Sequence, residues 1–141
     1  MDYKSLSHSK WYCRYHMVWI PKCRKKKLFI ELRRELGPIL REMAKRTDCE
    51  IVEGHLLLDH VHILISIPPK YRVSDVVGYI KGKSAIEVAK RMGRKRNFTG
   101  QNLWARGYFV STVGIAEETI KEYIRDQEEE DRRYDQLKLF D

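Results

Sequence analysis

The order of apolar patterns along this chain predicts an α+β fold of the ferredoxin-like, RRM-like kind, a split β-α-β sandwich with an antiparallel sheet and a C-terminal helix. Three observations carry that prediction. Residues 11–20, 50–58, 60–67 and 108–113 are short runs rich in β-branched and aromatic residues, as strands are. Residues 28–45 and 73–92 repeat apolar side chains at helical spacing. The resulting order, β-α-β-β-α-β followed by a helix after Gly114, is the one a split sandwich requires.

The elements follow in order. The first strand, 11–20, ends in a basic loop. In the first helix Leu28, Leu32, Leu36, Ile39, Leu40 and Met43 share a face, and Gly37-Pro38 predicts a kink because proline has no amide hydrogen to donate. A tight turn at Asp59 joins strands 50–58 and 60–67, and Pro68-Pro69 stops the second. Ser74-Asp75 starts the second helix, whose apolar positions are Val76, Val77, Ile80, Ala85, Val88 and Ala89. Residues 93–102 read as a polar, basic loop, and 108–113 as the last strand.

With 141 residues and 43% hydrophobic content, the chain can bury a real core, and one domain over 1–141 is expected. Apolar runs such as Leu56-Leu57-Leu58 and Ile63-Leu64-Ile65 are too short to span a bilayer. The N-terminal segment lacks a signal-peptide core, so the expected location is cytoplasmic, with no membrane partner. Cys13, Cys23 and Cys49 form no Cys-x-x-Cys pair, which argues against a structural zinc site or a disulfide framework.

Charge is divided unevenly. Residues 1–100 carry 22 Lys and Arg against 10 Asp and Glu, a balance of +12, and residues 101–141 carry 6 against 10, a balance of −4, giving the chain its +8. Two clusters dominate the basic part: Lys22, Arg24, Lys25, Lys26 and Lys27, and Lys90, Arg91, Arg94, Lys95 and Arg96. A basic body of this kind attracts phosphate, with an affinity that falls as salt rises. Tyr79 and Trp104 are candidates to stack bases, or else packing residues. The run Glu128-Glu129-Glu130-Asp131 reads as the exposed side of the last helix.

The most informative stretch is Asp59-His60-Val61-His62-Ile63-Leu64-Ile65. Residues i and i+2 of a strand point to one face, so His60 and His62 stand side by side while Val61 and Ile63 pack the other way. Two imidazoles at that spacing form a two-point metal clamp, and a third ligand is needed. Downstream, Tyr123 and Gln127 lie four residues apart and share a helix face with a phenol and an amide one turn apart. A phenol is a weak nucleophile at neutral pH until a cation or base activates it. His16 and His55 fall on strands and read as structural, with His55 a candidate to support the metal site; His8 lies in a polar lead-in.

These residues resemble the single-tyrosine HUH transposases of small insertion sequences that move as single-stranded DNA. His60-Val61-His62 matches the paired-histidine motif, and Tyr123 with Gln127 matches the tyrosine helix. Residues 15–20 and 103–114 add further likeness, so that the match spans nearly the whole chain. There are departures. Leu57-Leu58 stand where Met-Pro is usual before the histidine motif, and Ala116 stands where a capping Asp is usual, with Glu117 and Glu118 compensating through the helix dipole.

The resemblance implies a DNA strand transferase. A divalent ion, Mg or Mn, is held by His60, His62 and Gln127, and Tyr123 attacks the scissile phosphate to leave a 3′-hydroxyl and a 5′-phosphotyrosine. A DNA 3′-hydroxyl then rejoins the strand without a nucleotide cofactor. It further implies single-stranded DNA hairpins as partner and a homodimer whose tyrosine helices are shared between subunits, with Gly114 as a hinge. Ligand chemistry alone leaves zinc, nickel and manganese open. Two other readings stay open: a non-catalytic nucleic-acid-binding module on the same fold, and a domesticated nuclease acting on repeat hairpins. A histidine-triad hydrolase would need His at position 64, which is Leu64.

Overall fold

The computed structural model describes residues 4–6, 9–96, 103–112 and 117–138, with side chains over 11–91, 103–112 and 121–134. A short hairpin, β1 (Lys4–Leu6) and β2 (Ser9–Trp11), precedes the main body. The sheet is built from β3 (Arg14–Trp19), β4 (Glu50–Leu56), β5 (Val61–Ser66) and β6 (Phe109–Ser111). Its order is β4-β5-β3-β6, all neighbours antiparallel, which is the expected split sandwich. The helices are α1 (Lys26–Arg46), α2 (Val73–Arg96) and α3 (Glu117–Lys138).

One face of the sheet carries the main core. Met17 and Trp19 of β3 and Val61, Ile63 and Ile65 of β5 meet Phe29, Leu32, Leu36, Leu40 and Met43 of α1 and Val76, Val77, Ile80 and Val88 of α2. Each such side chain, fully buried, contributes roughly 1.5–3 kcal/mol of transfer free energy. Helix α1 continues through Gly37-Pro38 as one element. The buried stripe on both sides of Pro38, Leu36 before it and Ile39 and Leu40 after it, holds the helix in register across the missing donor. Helix α2 extends to Arg96, into the stretch expected to be loop.

The opposite face is covered by α3. Val18 and Ile20, the alternate residues of β3, form a smaller cluster with Ala105 and Ile124, against which Phe109 and Tyr123 pack. The segment before β6 is tied to both layers. Lys22 N donates to Leu103 O at 2.9 Å and Ala105 N to Ile20 O at 3.0 Å, while Trp104 Nε1 donates to Ser84 Oγ of α2 at 3.1 Å.

Strand β4 contains a bulge. Ile51 pairs with Ile65, yet Glu53 pairs with Leu64, so Val52 is the extra residue and is exposed. The parity of side chains therefore changes at this point: Ile51 and Gly54 face the core, while Glu53 and His55 face outward beside Leu64 and His62.

Candidate active site

Strand β5 delivers His62 to the outer face, with His60 immediately before the strand, because Val61, Ile63 and Ile65 are drawn into the core and fix the pleat. The ring centroids of His60 and His62 lie 6.4 Å apart. His60 is 9% exposed, and its Nδ1 lies 2.7 Å from Asp59 Oδ1. A carboxylate on Nδ1 orients an imidazole and leaves Nε2 for another partner. His62 is half-buried. Burial, and then the neighbouring imidazoles of His16, His60 and His55, lower its pKa and favour the neutral ring that a metal ligand must be.

The surroundings of His62 differ from the sequence expectation. Its Nε2 lies 3.4 Å from Nδ1 of His16 on β3, with ring centroids 5.5 Å apart in an edge-on arrangement. His55, a candidate to support the pair, engages Glu53 Oε1 at 2.8 Å through Nε2, and its ring centroid is 6.4 Å from that of His62. His16, Glu53, His55, His62 and Leu64 line a cleft of about 110 Å³.

Tyr123 and Gln127 lie on α3, the helix that covers this same sheet face. Tyr123 stacks against Phe109 with centroids 5.5 Å apart, and its hydroxyl is buried with no hydrogen-bond partner among the described residues. Burial, followed by the carboxylate of Glu130, pushes its pKa up, so the phenol in this arrangement is protonated and unactivated. The Gln127 amide lies by Gly107, whose φ of +83° belongs to the region glycine favours; a Cβ there would come 3.7 Å from the Gln127 amide nitrogen. Among the described residues, no hydrogen bond joins Tyr123 or Gln127 to the histidine pair, and no group of three or more His, Cys, Asp or Glu could hold a metal ion.

Helix α3 is held down by acids that the sequence placed on an exposed side. Asp131 is 7% exposed and accepts from Cys23 N at 2.7 Å, and Glu128 Oε1 pairs with Lys26 Nζ at 3.2 Å. A carboxylate at the start of the turn that leads into α1 satisfies a free amide there and meets the positive end of the helix dipole. The first basic cluster is thus partly turned inward: Lys22 is 7% exposed, with Nζ 5.7 Å from the centre of the Tyr134 ring. Arg106 stacks on the same ring at 4.4 Å and donates to its hydroxyl at 2.9 Å.

The two aromatic candidates for base stacking are packing residues. Trp104 is buried between Trp19 and Phe29, with its indole nitrogen already bonded, and Tyr79 packs against the core. Lys81 of α2 reaches the segment before β6, donating to Ala105 O at 3.0 Å and Gly107 O at 2.7 Å, and burial lowers its pKa to about 8. Gly114, Ala116 and His8 lie outside the described residues, as do the side chains of Arg94, Lys95 and Arg96.

The structure sets the two imidazoles side by side, one against a carboxylate, while the Gln127 carboxamide lies apart from them beside Gly107. Among the described residues, no helix is long and apolar enough to cross a membrane.

Comparison with known proteins identifies the family and the fold. Residues 9–127 match the family model described as Transposase IS200 like. The chain is 41% identical over 139 residues to the transposase for insertion sequence element IS200 of Salmonella typhimurium, covering 98% of this chain and 91% of the relative. It is 33% identical over 121 residues to the ISDra2 transposase TnpA of Deinococcus radiodurans, covering 83% and 85%. Among solved structures, a candidate transposase from Deinococcus radiodurans R1 superposes with a TM-score of 0.73 at 29% identity, over 88% of this chain and 97% of that one. A REP-associated tyrosine transposase bound to a REP hairpin shares the fold, with a TM-score of 0.52 at 13% identity over 84% and 68%. This chain belongs to the IS200-like transposase family.

Proposed function

We propose that this transposase cleaves and rejoins single-stranded DNA at hairpin-bearing ends, with Tyr123 as nucleophile and a divalent ion, Mg or Mn, held by His60, His62 and Gln127. The observation that carries the reading is the shared sheet face: His62 of β5, with His60 beside it, lies on the side against which α3, bearing Tyr123 and Gln127, packs. Family membership supplies the reaction class, and the basic body supplies attraction to the DNA backbone. Hairpin DNA is the ligand of one protein with this fold, which supports the choice of substrate.

In this reading the Tyr123 oxygen attacks the scissile phosphorus in line. The bond to the 3′ oxygen breaks, leaving a 3′-hydroxyl on one fragment and a 5′-phosphotyrosine on the other, and a DNA 3′-hydroxyl later displaces the tyrosine. The ion, when bound, polarises the scissile phosphate as a Lewis acid. The buried phenol is a resting state, so α3 has to present Tyr123 to the phosphate before reaction. A homodimer that exchanges this helix between subunits would do so.

The test is incubation with end-labelled single-stranded oligonucleotides from the element ends, with Mn²⁺ or Mg²⁺, beside Tyr123→Phe. We expect a covalent adduct with the 5′ end of the downstream fragment, absent in the variant and after chelation. DNA binding with no adduct in the wild-type chain would favour the binding-module reading.

A further inference from the structure

We infer that His16 is a positioning residue for His62, and that its ring fixes the orientation and tautomer in which His62 meets the metal. The inference rests on the metal reading above and extends it to a residue outside the paired-histidine motif.

The need for such a residue follows from the chemistry of the ring. The outer torsion of histidine is broad and roughly two-fold, so a ring on an open sheet face has no preferred flip of its own. A neutral imidazole also carries its proton on either nitrogen, and the bond made by one nitrogen decides which is free for a metal. His60 has this settled by Asp59, through Nδ1 at 2.7 Å. For His62 the only hydrogen-bond neighbour among the described residues is His16 Nδ1, 3.4 Å from Nε2.

Strand register places the two rings together. Val18 pairs with His62 and His16 with Leu64, so His16 and His62 are diagonal neighbours on one face of two strands. Both strands are anchored by buried alternates, Met17 and Trp19 on one and Val61 and Ile63 on the other, so the approach is set by the core. If His62 donates its Nε2 proton to His16 Nδ1, then His62 Nδ1 carries the lone pair offered to the ion, and His16 keeps its own proton on Nε2. The two halves of the clamp are then oriented differently, His60 by a carboxylate and His62 by another imidazole. At 3.4 Å the contact is long for an N–H···N bond, so it orients the ring without clamping it.

The test has one arm without metal and one with it. In the metal-free full chain, side-chain ¹⁵N spectra should show His62 with its proton on Nε2, and His16→Phe, which keeps an aromatic ring but no nitrogen, should abolish that preference. In the second arm, Mn²⁺ affinity measured by calorimetry and by electron paramagnetic resonance should fall by roughly 10- to 100-fold in His16→Phe. His16→Asn, whose side-chain oxygen can accept from His62, should restore most of it, and unfolding midpoints will confirm that both variants fold.

A wild-type His62 protonated on Nδ1 would overturn the inference without any variant. So would a His16→Phe chain with unchanged affinity, or a loss of one manganese-coupled imidazole nitrogen in that variant, which would make His16 itself a ligand. Equal Mn²⁺ binding by the wild type and His62→Ala would remove the metal reading itself, and the role of His16 with it, whatever the tautomer shows.

Discussion

The two faces of the central sheet are built from the same strands and yet do opposite things. Toward α1 and α2 the alternate residues Met17, Trp19, Val61, Ile63 and Ile65 of β3 and β5 are apolar and closed to water, with Tyr15 half-buried beside them. Toward α3 the same strands present His16, Val18, His62 and Leu64, and apolar contact shrinks to a small cluster around Val18, Ile20, Ala105 and Ile124. Stability is concentrated on one side, which leaves the other free to hold polar groups and a helix attached by few contacts. Regions with few buried apolar contacts open at lower free energy than the core does. The movement proposed for Tyr123 would draw on that side.

The contrast should show first in deletions of apolar bulk. Phe29→Ala on the core side is expected to destabilise the whole chain by about 3–5 kcal/mol in denaturant unfolding. Ile124→Ala should cost about 2 kcal/mol and act locally, with hydrogen exchange quickening in α3 well before α2. Equal losses spread over both helices would break the comparison.

The attachment of α3 can be probed more finely at its acidic contact. Asp131→Ala removes the acceptor of the Cys23 amide and should cost about 1–2 kcal/mol, again with faster exchange confined to α3 and the start of α1. A change of similar size should come from Lys81. Its folded pKa is lowered to about 8 from an ordinary 10.5, so the unfolded chain holds the proton more tightly. The cost of burying the ammonium is fully present below pH 8 and fades as pH rises through 8 toward 10.5, so stability gains over that window relative to Lys81→Met. The gain should be on the order of 1 kcal/mol, because the two carbonyls that accept from Lys81 offset part of the burial cost. A flat difference between the two chains over that window would show that Lys81 is not desolvated.

The smallest effect is the most pointed. Tyr123→Phe removes a buried hydroxyl with no partner among the described residues, so it should leave stability unchanged or raise it by up to about 1 kcal/mol. Calorimetric unfolding checks this, and a clear loss of stability would mean that the hydroxyl has a partner in solution.

Much of this layout was legible in the sequence, for identifiable reasons. The four sheet strands and the three helices announced themselves by period, and the apolar stripe of α1 was read correctly, short of Phe29 and Ala44. Proximity along the chain also exposed His60 with His62 and Tyr123 with Gln127. What stayed hidden was long-range. His16 reads as an ordinary strand residue until the β3–β5 register sets it diagonal to His62. Glu128 and Asp131 read as solvated charge until α3 is laid against Cys23 and Lys26. Trp104 offered a stacking surface in the sequence and is spent in the core. The hairpin of β1 and β2 was missed because its three-residue strands are too short and too polar to show a period.

The bulge at Val52 works as a reading frame. Strict alternation from Ile51 would carry Glu53 and His55 into the core and set Gly54 opposite His62. The one additional residue shifts the count, so that everything after it on β4 is read from the other side. Straightening the bulge with Val52 kept in the ladder would therefore act on this strand as a frameshift acts on a gene: the chemistry downstream would be unchanged in composition and wrong in meaning, with a carboxylate and an imidazole facing oil and a glycine facing the histidines.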